Sequence, residues 1–206
     1  MITGLYVIIP AKNEQKDILK VIKNYKNLGK IIVVDDNSTD NTNFIIKKKV
    51  YKILHNKKSL GYDRSIKRGI IYIKKKAKFI LTIDGDNQHP KVNLKKIINE
   101  NMKNYDLIIF NRNKLQRFSE YVIDIISKVL FGIRDPASGM KLYKVNNLKK
   151  HKLELNNDQV GMFFFKVYKK KKILNIPIKT KKEKKTIFGN GLKINFKIFN
   201  AFIKCI

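Results

Sequence analysis

Short apolar runs alternate with amphipathic stretches along the first 110 residues of the chain. The apolar runs predict β-strands at residues 5–9, 30–34, 50–54, 79–83 and 106–110. The stretches between them predict helices near residues 14–28, 40–48, 63–76 and 91–101. This alternation predicts an α/β fold with a doubly wound, mostly parallel sheet. Right-handed crossovers would bring the residues after each strand to one edge, where ligands bind.

Two later stretches carry apolar residues at helical spacing. One passes through Phe118 and Ile125, and the other is a C-terminal amphipathic helix within residues 192–206, with lysines opposite its apolar face. A basic polar face beside aromatic residues is typical of a helix that lies on anionic lipid, and the basic run at residues 179–185 adds attraction. Packing of both helices against the core is the alternative.

The composition is that of one compact domain. The chain has 206 residues, 43% of them hydrophobic, which suffices for one core. The single cysteine, Cys205, excludes a disulfide within the chain and a cysteine-based zinc site. The first apolar run is too short for a signal peptide, and no run reaches the roughly 18 apolar residues of a transmembrane helix. We therefore expect a cytoplasmic protein, either soluble or peripheral on the inner face of the cell membrane.

The formal net charge is +30, with 46 Lys and Arg against 16 Asp and Glu. A field of this size attracts nucleic acid, anionic lipid and phosphorylated small molecules alike. Most of the lysines are expected to lie on solvated helix faces. A basic nucleic-acid-binding module is one alternative. It is disfavoured because the chain has no recognised nucleic-acid motif and its carboxylates cluster where a phosphate backbone would be repelled.

Two carboxylates flank a glycine directly after the strand predicted at residues 79–83. Asp84, Asp86 and the amide oxygen of Gln88 offer three oxygens on one short loop. Hard divalent cations such as Mg²⁺ or Mn²⁺ prefer such ligands. The loop therefore predicts a metal site, with a turn formed for conformational reasons alone as the alternative.

Polar residues also follow the other predicted strands. Residues 10–14 follow the first strand, Asp35 and Asp36 follow the second, and Gly61 precedes a helix that carries Arg64. Adjacent carboxylates need compensating donors, which nucleotide bases and riboses supply. A glycine loop followed by arginine suits a pyrophosphate.

Four segments together resemble family-two glycosyltransferases: residues 7–14 (VIIPAKNE), residues 33–42 (VVDDNSTDNT), Gly61 with its following helix, and residues 84–90 (DGDNQHP). Residues 135–143 (DPASGMKLY) and the Ile-Pro-Ile of residues 176–178 are similar to segments of the branch like dolichyl-phosphate mannose synthase and bacterial polyprenyl-phosphate glycosyltransferases. The resemblance covers about residues 5–180. It implies a GT-A fold, which is Rossmann-like, and inverting transfer of a sugar from a nucleoside diphosphate donor.

The resemblance implies a donor site in residues 1–110. The residues that would bind the donor are Pro10, Asn13, Glu14, Asp36, Gly61, Arg64 and Asp84. Of these, Asp36 would contact the base, and Asp84 would lie at the ribose or the metal. Asp84, Asp86 and Gln88 would hold Mg²⁺ or Mn²⁺, which would neutralise the diphosphate leaving group, so that Asp86 is a catalytic candidate.

The resemblance places the acceptor in residues 111–180 and leaves residues 181–206 as a basic linker and amphipathic helix. The candidate acceptor-binding residues are Arg112, Arg117, Arg134 and Ser138. A polyprenyl phosphate is already an anionic nucleophile and needs positive charge for positioning, which makes Arg117 a catalytic candidate. A hydroxyl of a lipid-linked glycan would need a base, for which Asp135 is the leading candidate. A purely structural Asp-Pro turn at Asp135 is the alternative.

Several features depart from the family pattern. The segment between Arg112 and Asp135 is short, and Asn175 stands where many relatives have Glu. Residues 156–168 lack the acidic residue that relatives carry on their corresponding helix, unless Asp158 replaces it. A catalytically inactive relative is therefore an alternative. A nucleotidyltransferase with the same metal chemistry is another, although residues 10–14 contain no glycine.

Overall fold

The computed structural model describes residues 1–155, 159–168, 171–181 and 191–206. Asp158 and residues 182–185 of the basic run lie outside the described residues. The strands are β1 (Leu5–Ala11), β2 (Lys30–Asp35), β3 (Lys52–His55), β4 (Phe79–Thr82), β5 (Leu107–Arg112), β6 (Lys141–Lys144) and β7 (Ile173–Ile178). The helices are α1 (Ile18–Tyr25), α2 (Thr42–Ile46), α3 (Tyr62–Ile73), α4 (Leu94–Asn101), α5 (Phe118–Phe131), α6 (Val145–Lys150), α7 (Phe164–Val167) and α8 (Leu192–Ile203).

One sheet with the strand order β3-β2-β1-β4-β6-β5-β7 organises these elements. All neighbouring strands are parallel except that β6 runs antiparallel between β4 and β5. The predicted α/β class and mostly parallel sheet are confirmed, but the sequence pattern did not predict β6. The Ile-Pro-Ile segment lies in β7, where Pro177 is tolerated because β7 is an edge strand.

Helices cover both faces of the sheet, and β1 is consequently buried along its whole length. Tyr6 and Ile8 face a core shared with α3, α5 and α8. Val7 and Ile9 face a second core shared with α1, α2 and α4. Burial on both faces explains why β1 reads as a continuous apolar run instead of an alternating one.

The C-terminal helix α8 packs along α5. The backbone N–H of Ser119 in α5 donates to Asn195 Oδ1 in α8 at 3.0 Å. The buried side chains of α8 are Ile198, Ala201 and Phe202. Its exposed apolar side chains are Leu192, Phe196 and Ile203, followed by Ile206. The helix therefore contacts the core and also presents an apolar surface.

None of the helices in the described part of the chain is both long enough and apolar enough to span a bilayer.

Candidate active site

Hydrogen bonds join the loops that follow β1 and β2. The Asn13 side-chain oxygen accepts from the backbone N–H of Thr39 at 2.8 Å, and the Asn13 N–H donates to the Ser38 hydroxyl at 3.0 Å. The Glu14 N–H donates to Thr42 Oγ1 at 2.8 Å. Asn13 has a φ of 57°, a left-handed conformation that Asn tolerates better than most residues. Two of the predicted donor-binding segments therefore lie side by side.

Asp36 is buried, and four donors surround its carboxylate. Oδ1 accepts from the Asn56 side chain at 2.6 Å and the Leu60 N–H at 2.7 Å, and Oδ2 accepts from the Ser59 hydroxyl at 2.8 Å and the Gly61 N–H at 2.9 Å. Burial alone would raise the pKa of Asp36, but these hydrogen bonds hold it below its ordinary value. A carboxylate offers about four acceptor positions, and the loop after β3 uses all of them. A nucleotide base could hydrogen-bond to Asp36 only if one of these four hydrogen bonds were broken.

Gly61 connects the loop after β3 to α3. Its φ of 89° belongs to the region that favours glycine. Lys12, in the loop after β1, donates to the Ser59 hydroxyl at 2.9 Å, so the loops after β1, β2 and β3 form one continuous rim. Gly61 and Arg64 lie at the N-terminal end of a 12-residue helix, a position that favours anionic groups.

The predicted metal loop follows β4. Asp84 Oδ2 lies 2.9 Å from His89 Nε2, and the Tyr62 hydroxyl interacts with the same carboxylate. Asp86 Oδ1 accepts from the backbone N–H of Gln88 at 3.1 Å, which closes the loop. A Cβ at Gly139 would lie 2.2 Å from both carboxylate oxygens of Asp84. The Asp84 carboxylate therefore occupies space that only glycine at position 139 leaves open.

The metal loop also packs against the predicted donor-binding segment. A Cβ at Gly85 would lie 3.3 Å from Glu14 Cγ and from the Pro10 carbonyl oxygen. The Tyr25 hydroxyl of α1 donates to the Pro90 carbonyl at 3.1 Å and fixes the far end of the loop. Pro10, Glu14 and the acidic loop consequently meet at the carboxyl edge of the sheet.

The two acidic side chains of this loop have pKa values shifted in opposite directions. Burial raises the pKa of Asp86 to about 6, and the negative charge of Asp84 adds to the rise. Burial alone would also raise the pKa of Asp84, but the hydrogen bond and charge of His89 hold it below its ordinary value. Neighbouring carboxylates that repel each other fit a divalent cation, which would offset their charge. Gln88 would have to serve as a further ligand, because the described residues contain no cluster of three or more His, Cys, Asp or Glu side chains that could hold a metal.

Arg112 and Asp135 form a bidentate pair in the predicted acceptor half. Arg112 Nε donates to Asp135 Oδ2 at 2.9 Å, and Arg112 Nη2 donates to Asp135 Oδ1 at 2.8 Å and to Glu120 Oε2 at 3.1 Å. Burial alone would lower the pKa of Arg112, but the bonds and charges of these carboxylates raise it above its ordinary value. Because both Asp135 oxygens are engaged, this conformation favours a structural role for Asp135 and Arg112.

The other predicted acceptor residues differ in their exposure. Arg117 donates to Glu120 at 2.8 Å and is 10% exposed, whereas Arg134 donates to Asp124 at 2.9 Å and is 47% exposed. Ser138 is buried, and its hydroxyl donates to a backbone carbonyl of β5 at 2.7 Å. Of the three, Arg134 is therefore the side chain most open to a ligand arriving from solvent.

Two residues near Asp84 were absent from the predicted site. The Tyr62 hydroxyl lies beside Asp84. Burial, and to a smaller extent the negative charge of Asp84, raises the pKa of Tyr62 well above its ordinary value. Lys141 is buried in β6, and burial lowers its pKa to about 8. Both residues could have been noticed from sequence, because Tyr62 follows Gly61 and Lys141 lies within residues 135–143. The ion pairs that Glu120 and Asp124 form with arginines could not be recognised from the sequence in this way.

A solved structure shares this architecture at low sequence identity. The crystal structure of GalNAc-T7 with UDP, GalNAc and Mn²⁺ matches with a TM-score of 0.60 and 11% identity. The match covers 98% of this chain and 47% of that chain, so this chain spans about half the length of GalNAc-T7. The likeness supports the fold assignment.

This fold with an acidic loop at the carboxyl edge of its sheet is compatible with a nucleotide-sugar glycosyltransferase, and the family comparison assigns the class. The family model described as glycosyl transferase family 2 matches residues 6–176, and the chain belongs to this family. Uncharacterized protein MJ1222 of Methanocaldococcus jannaschii is 30% identical, with coverage of 94% of this chain and 90% of that protein. The UDP-N-acetylglucosamine--dolichyl-phosphate N-acetylglucosaminyltransferase of Methanococcus voltae is 27% identical, with coverage of 95% and 93%. The predicted fold and enzyme class are confirmed, while the predicted branch, domain division and site residues stay predictions.

Proposed function

We propose that this glycosyltransferase moves a sugar, with inversion, from a nucleoside diphosphate sugar to a polyprenyl phosphate or a lipid-linked glycan at an anionic membrane surface. The name of the Methanococcus voltae relative contains a dolichyl phosphate, which supports a lipid phosphate as acceptor and the branch inferred from the sequence. The observation that carries the proposal is helix α5. Its exposed face is apolar, and its buried face holds the arginines predicted to bind the acceptor.

Helix α5 has most of its charged and hydroxyl side chains on its buried face and most of its large apolar side chains on its exposed face, the reverse of an ordinary surface helix. Its buried residues are Ser119, Glu120, Ile123, Asp124 and Ser127. Its exposed large apolar residues are Phe118, Tyr121, Ile125, Val129, Leu130 and Phe131. Because α8 packs beside α5, its exposed apolar side chains extend the same region of the surface. Exposed apolar side chains on two neighbouring helices are typical of contact with a membrane or a partner.

The charge of the protein favours an anionic bilayer as the molecule that covers this surface. Exposed lysines accompany the apolar residues of both helices: Lys128, Lys193, Lys197 and Lys204. Each lysine near an anionic leaflet contributes about 1 kcal/mol of attraction. The net charge of +30 acts in the same direction over a longer range. We therefore infer peripheral attachment to the cytoplasmic face of the membrane.

The residues of the site divide into a donor side and an acceptor side. Asp84, Asp86 and Gln88 would hold Mg²⁺ or Mn²⁺, which supplies neutralisation of charge on the leaving diphosphate. Arg134 and Arg117 would position the acceptor phosphate.

The chemistry of the acceptor decides whether a base is needed. The phosphate oxygen forms a bond to the anomeric carbon while the bond from that carbon to the diphosphate oxygen breaks, and the nucleoside diphosphate leaves with the electron pair. A lipid phosphate is already anionic, so no proton has to be removed. A glycan hydroxyl would need a base, but Asp135 is engaged by Arg112. The geometry therefore favours the phosphate over the hydroxyl.

The donor side can be tested with the Asp86→Ala variant. We would titrate UDP-, GDP-, CDP- and TDP-linked sugars with Mn²⁺ by calorimetry, at salt high enough to screen non-specific attraction. We expect selective, metal-dependent binding by the wild type and loss of this binding in Asp86→Ala. Asp106→Ala is the matched control, because Asp106 precedes β5 at the opposite edge of the sheet. Salt-sensitive binding of every nucleotide, indifferent to metal and to Asp86, would contradict the proposal and favour an inactive relative or a nucleic-acid-binding module.

The membrane surface can be tested with a matched pair of phenylalanine substitutions. Phe118 of α5 is 76% exposed, and Phe44 of α2, which packs on the other face of the sheet, is 78% exposed. Burial of one phenylalanine in the bilayer contributes about 1.5–3 kcal/mol, roughly 10- to 100-fold in affinity. We expect Phe118→Glu to lose that much affinity for phosphatidylglycerol vesicles and Phe44→Glu to bind as the wild type does. Equal binding of the vesicles by the two variants would refute the assignment.

A further inference from the structure

Two side chains from different elements hold the Asp84 carboxylate. Asp84 Oδ2 lies 2.9 Å from Nε2 of His89, which belongs to the same loop. The hydroxyl of Tyr62, the first residue of α3, interacts with the same carboxylate. An ionised carboxylate only accepts hydrogen bonds, so His89 Nε2 and the Tyr62 hydroxyl are the donors. The two donors together restrict how the carboxylate can rotate.

The exposure of these groups shows that both donors lie behind the carboxylate. The Asp84 side chain is 31% exposed, whereas the His89 side chain is 2% exposed. His89 Nδ1 and the Tyr62 hydroxyl are buried as well. A ligand that arrives from solvent would therefore meet Asp84 and would not meet the imidazole or the phenol hydroxyl.

His89 is placed to orient a metal ligand and not to act as one. Its Nε2 is used by Asp84, and the part of the chain that the structure describes has no cluster of three or more His, Cys, Asp or Glu side chains that could hold a metal. His89 therefore does not join Asp84 and Asp86 as a third ligand. Side chains that hydrogen-bond to metal ligands fix the orientation of those ligands, and their loss commonly lowers metal affinity 10- to 100-fold.

Repulsion within the acidic loop explains why Asp84 needs this support. Asp86 lies two positions from Asp84, and the negative charge of each carboxylate disfavours the other. Asp86 is held within its own loop, where its Oδ1 accepts from the Gln88 N–H at 3.1 Å. Without its two donors, the Asp84 carboxylate could rotate away from Asp86 before a cation arrives. The donors therefore keep the two carboxylates ready for one ion.

We propose that His89 and Tyr62 are positioning residues, which hold Asp84 in the orientation that binds Mg²⁺ or Mn²⁺ without touching the ion. The inference rests on the proposed function, in which Asp84, Asp86 and Gln88 hold this cation. Its consequence is that loss of either donor weakens binding of the ion although every proposed ligand is still present.

Mn²⁺ titrations of donor-deficient variants test this assignment. The free-ion electron paramagnetic resonance signal would be followed with UDP, GDP, CDP or TDP present. His89→Leu and Tyr62→Phe each remove one donor, whereas His89→Gln keeps a side-chain N–H that can donate. We expect His89→Leu and Tyr62→Phe to bind Mn²⁺ about 10- to 100-fold more weakly than the wild type, and His89→Gln to recover most of the loss. Recovery by His89→Gln is a result that a role in packing alone would not give.

Matched substitutions separate positioning of Asp84 from general effects on the fold. His55→Leu removes a histidine whose Nδ1 lies 3.3 Å from Asp35, a carboxylate outside the proposed metal site. Tyr168→Phe removes a buried hydroxyl that donates to the Lys144 carbonyl at 2.9 Å. Both controls should bind Mn²⁺ as the wild type does.

The outcomes distinguish this inference from the proposed function. If Asp86→Ala lost Mn²⁺ binding while His89→Leu and Tyr62→Phe bound the ion as the controls do, the positioning role would be overturned and the proposed function would stand. Equally weak binding by His89→Leu and His89→Gln would also overturn the role of the His89 hydrogen bond. Failure of the wild type to bind Mn²⁺ with any of the four nucleotides would overturn the proposed metal site and this inference together.

Discussion

Replacement of Gly139 by alanine should disable the donor side of the site without unfolding the protein. The new methyl group would lie 2.2 Å from both oxygens of the Asp84 carboxylate. Such a separation is far inside van der Waals contact, so either the segment before β6 or the acidic loop must move. The Gly139 carbonyl accepts from the buried Thr82 hydroxyl at the end of β4 at 2.9 Å, and the flexible carboxylate is therefore the part that moves.

The size of the effect follows from this geometry. To regain an ordinary separation of about 3.4 Å or more, the carboxylate must withdraw by at least about 1.2 Å. That movement also breaks its 2.9 Å contact with His89, which fixes the orientation of Asp84. Displacement of a catalytic group by about 1 Å lowers turnover on the order of 100-fold. The cost to the fold is smaller, about 1–3 kcal/mol, as for other small-to-large substitutions in a packed interior.

The assay is Mn²⁺ binding, followed by the loss of the free-ion electron paramagnetic resonance signal in the presence of a nucleoside diphosphate, together with turnover. Gly191→Ala is the matched control, because a Cβ at that position would meet nothing within 4 Å. We expect weaker Mn²⁺ binding and slower turnover in Gly139→Ala alone, with circular dichroism spectra unchanged in both variants. If Gly139→Ala bound Mn²⁺ and turned over as Gly191→Ala does, the inference that Asp84 must occupy this place would be wrong.

Two further predictions concern buried carboxylates. Asp63→Ala should lower the free energy of unfolding by about 3–5 kcal/mol in urea titrations, because it removes the carboxylate 2.8 Å from the buried Lys67 ammonium. A second substitution, Lys67→Met, should restore much of that loss, and a deficit below about 1 kcal/mol in the single variant would contradict the reasoning. Asp36→Asn should destabilise the protein at pH 7, because the amide cannot accept from all four donors around Asp36. Because the folded pKa of Asp36 lies below its ordinary value of 3.8, its stabilisation is present above about that pH and is lost as the pH falls through the folded pKa. The difference in the free energy of unfolding between wild type and Asp36→Asn should therefore become smaller below about pH 4. A difference that stays constant from pH 7 to pH 3 would refute this prediction.

Much of the donor side could be predicted from sequence because its signals are local. The acidic loop can be recognised because it has two carboxylates within three residues. Gly61 can be recognised because it lies between a predicted strand and a predicted helix. Strand β6 could not be predicted, because its sequence KLYK has a lysine at each end and lysine is rarely buried. Lys141 is nevertheless 2% exposed, since the neighbouring strands and Phe164 enclose it.

The acceptor side was harder to predict because its interactions join residues that are distant in sequence. Arg112 and Asp135 are separated by 23 positions, and nothing in either segment shows that each uses the other. Their pairing changes the expected chemistry, because the leading candidate base becomes part of the scaffold. The four donors around Asp36 likewise come from a loop 20 to 25 residues away.

The inverted polarity of α5 follows from this buried ion-pair network. Glu120 faces inward and pairs with Arg112 and Arg117, and Asp124 faces inward and pairs with Arg134. The acidic side chains of the helix are therefore on its buried face. That arrangement does not by itself require apolar residues outside, because a water-facing helix could be polar on both sides. The exposed apolar face therefore needs a separate explanation, and the proposed lipid acceptor would provide one. An enzyme whose acceptor phosphate stays at the bilayer surface must bring its arginines to that surface. Helix α5 carries both the carboxylates that hold these arginines and the exposed apolar side chains, so one rigid element would place the two together.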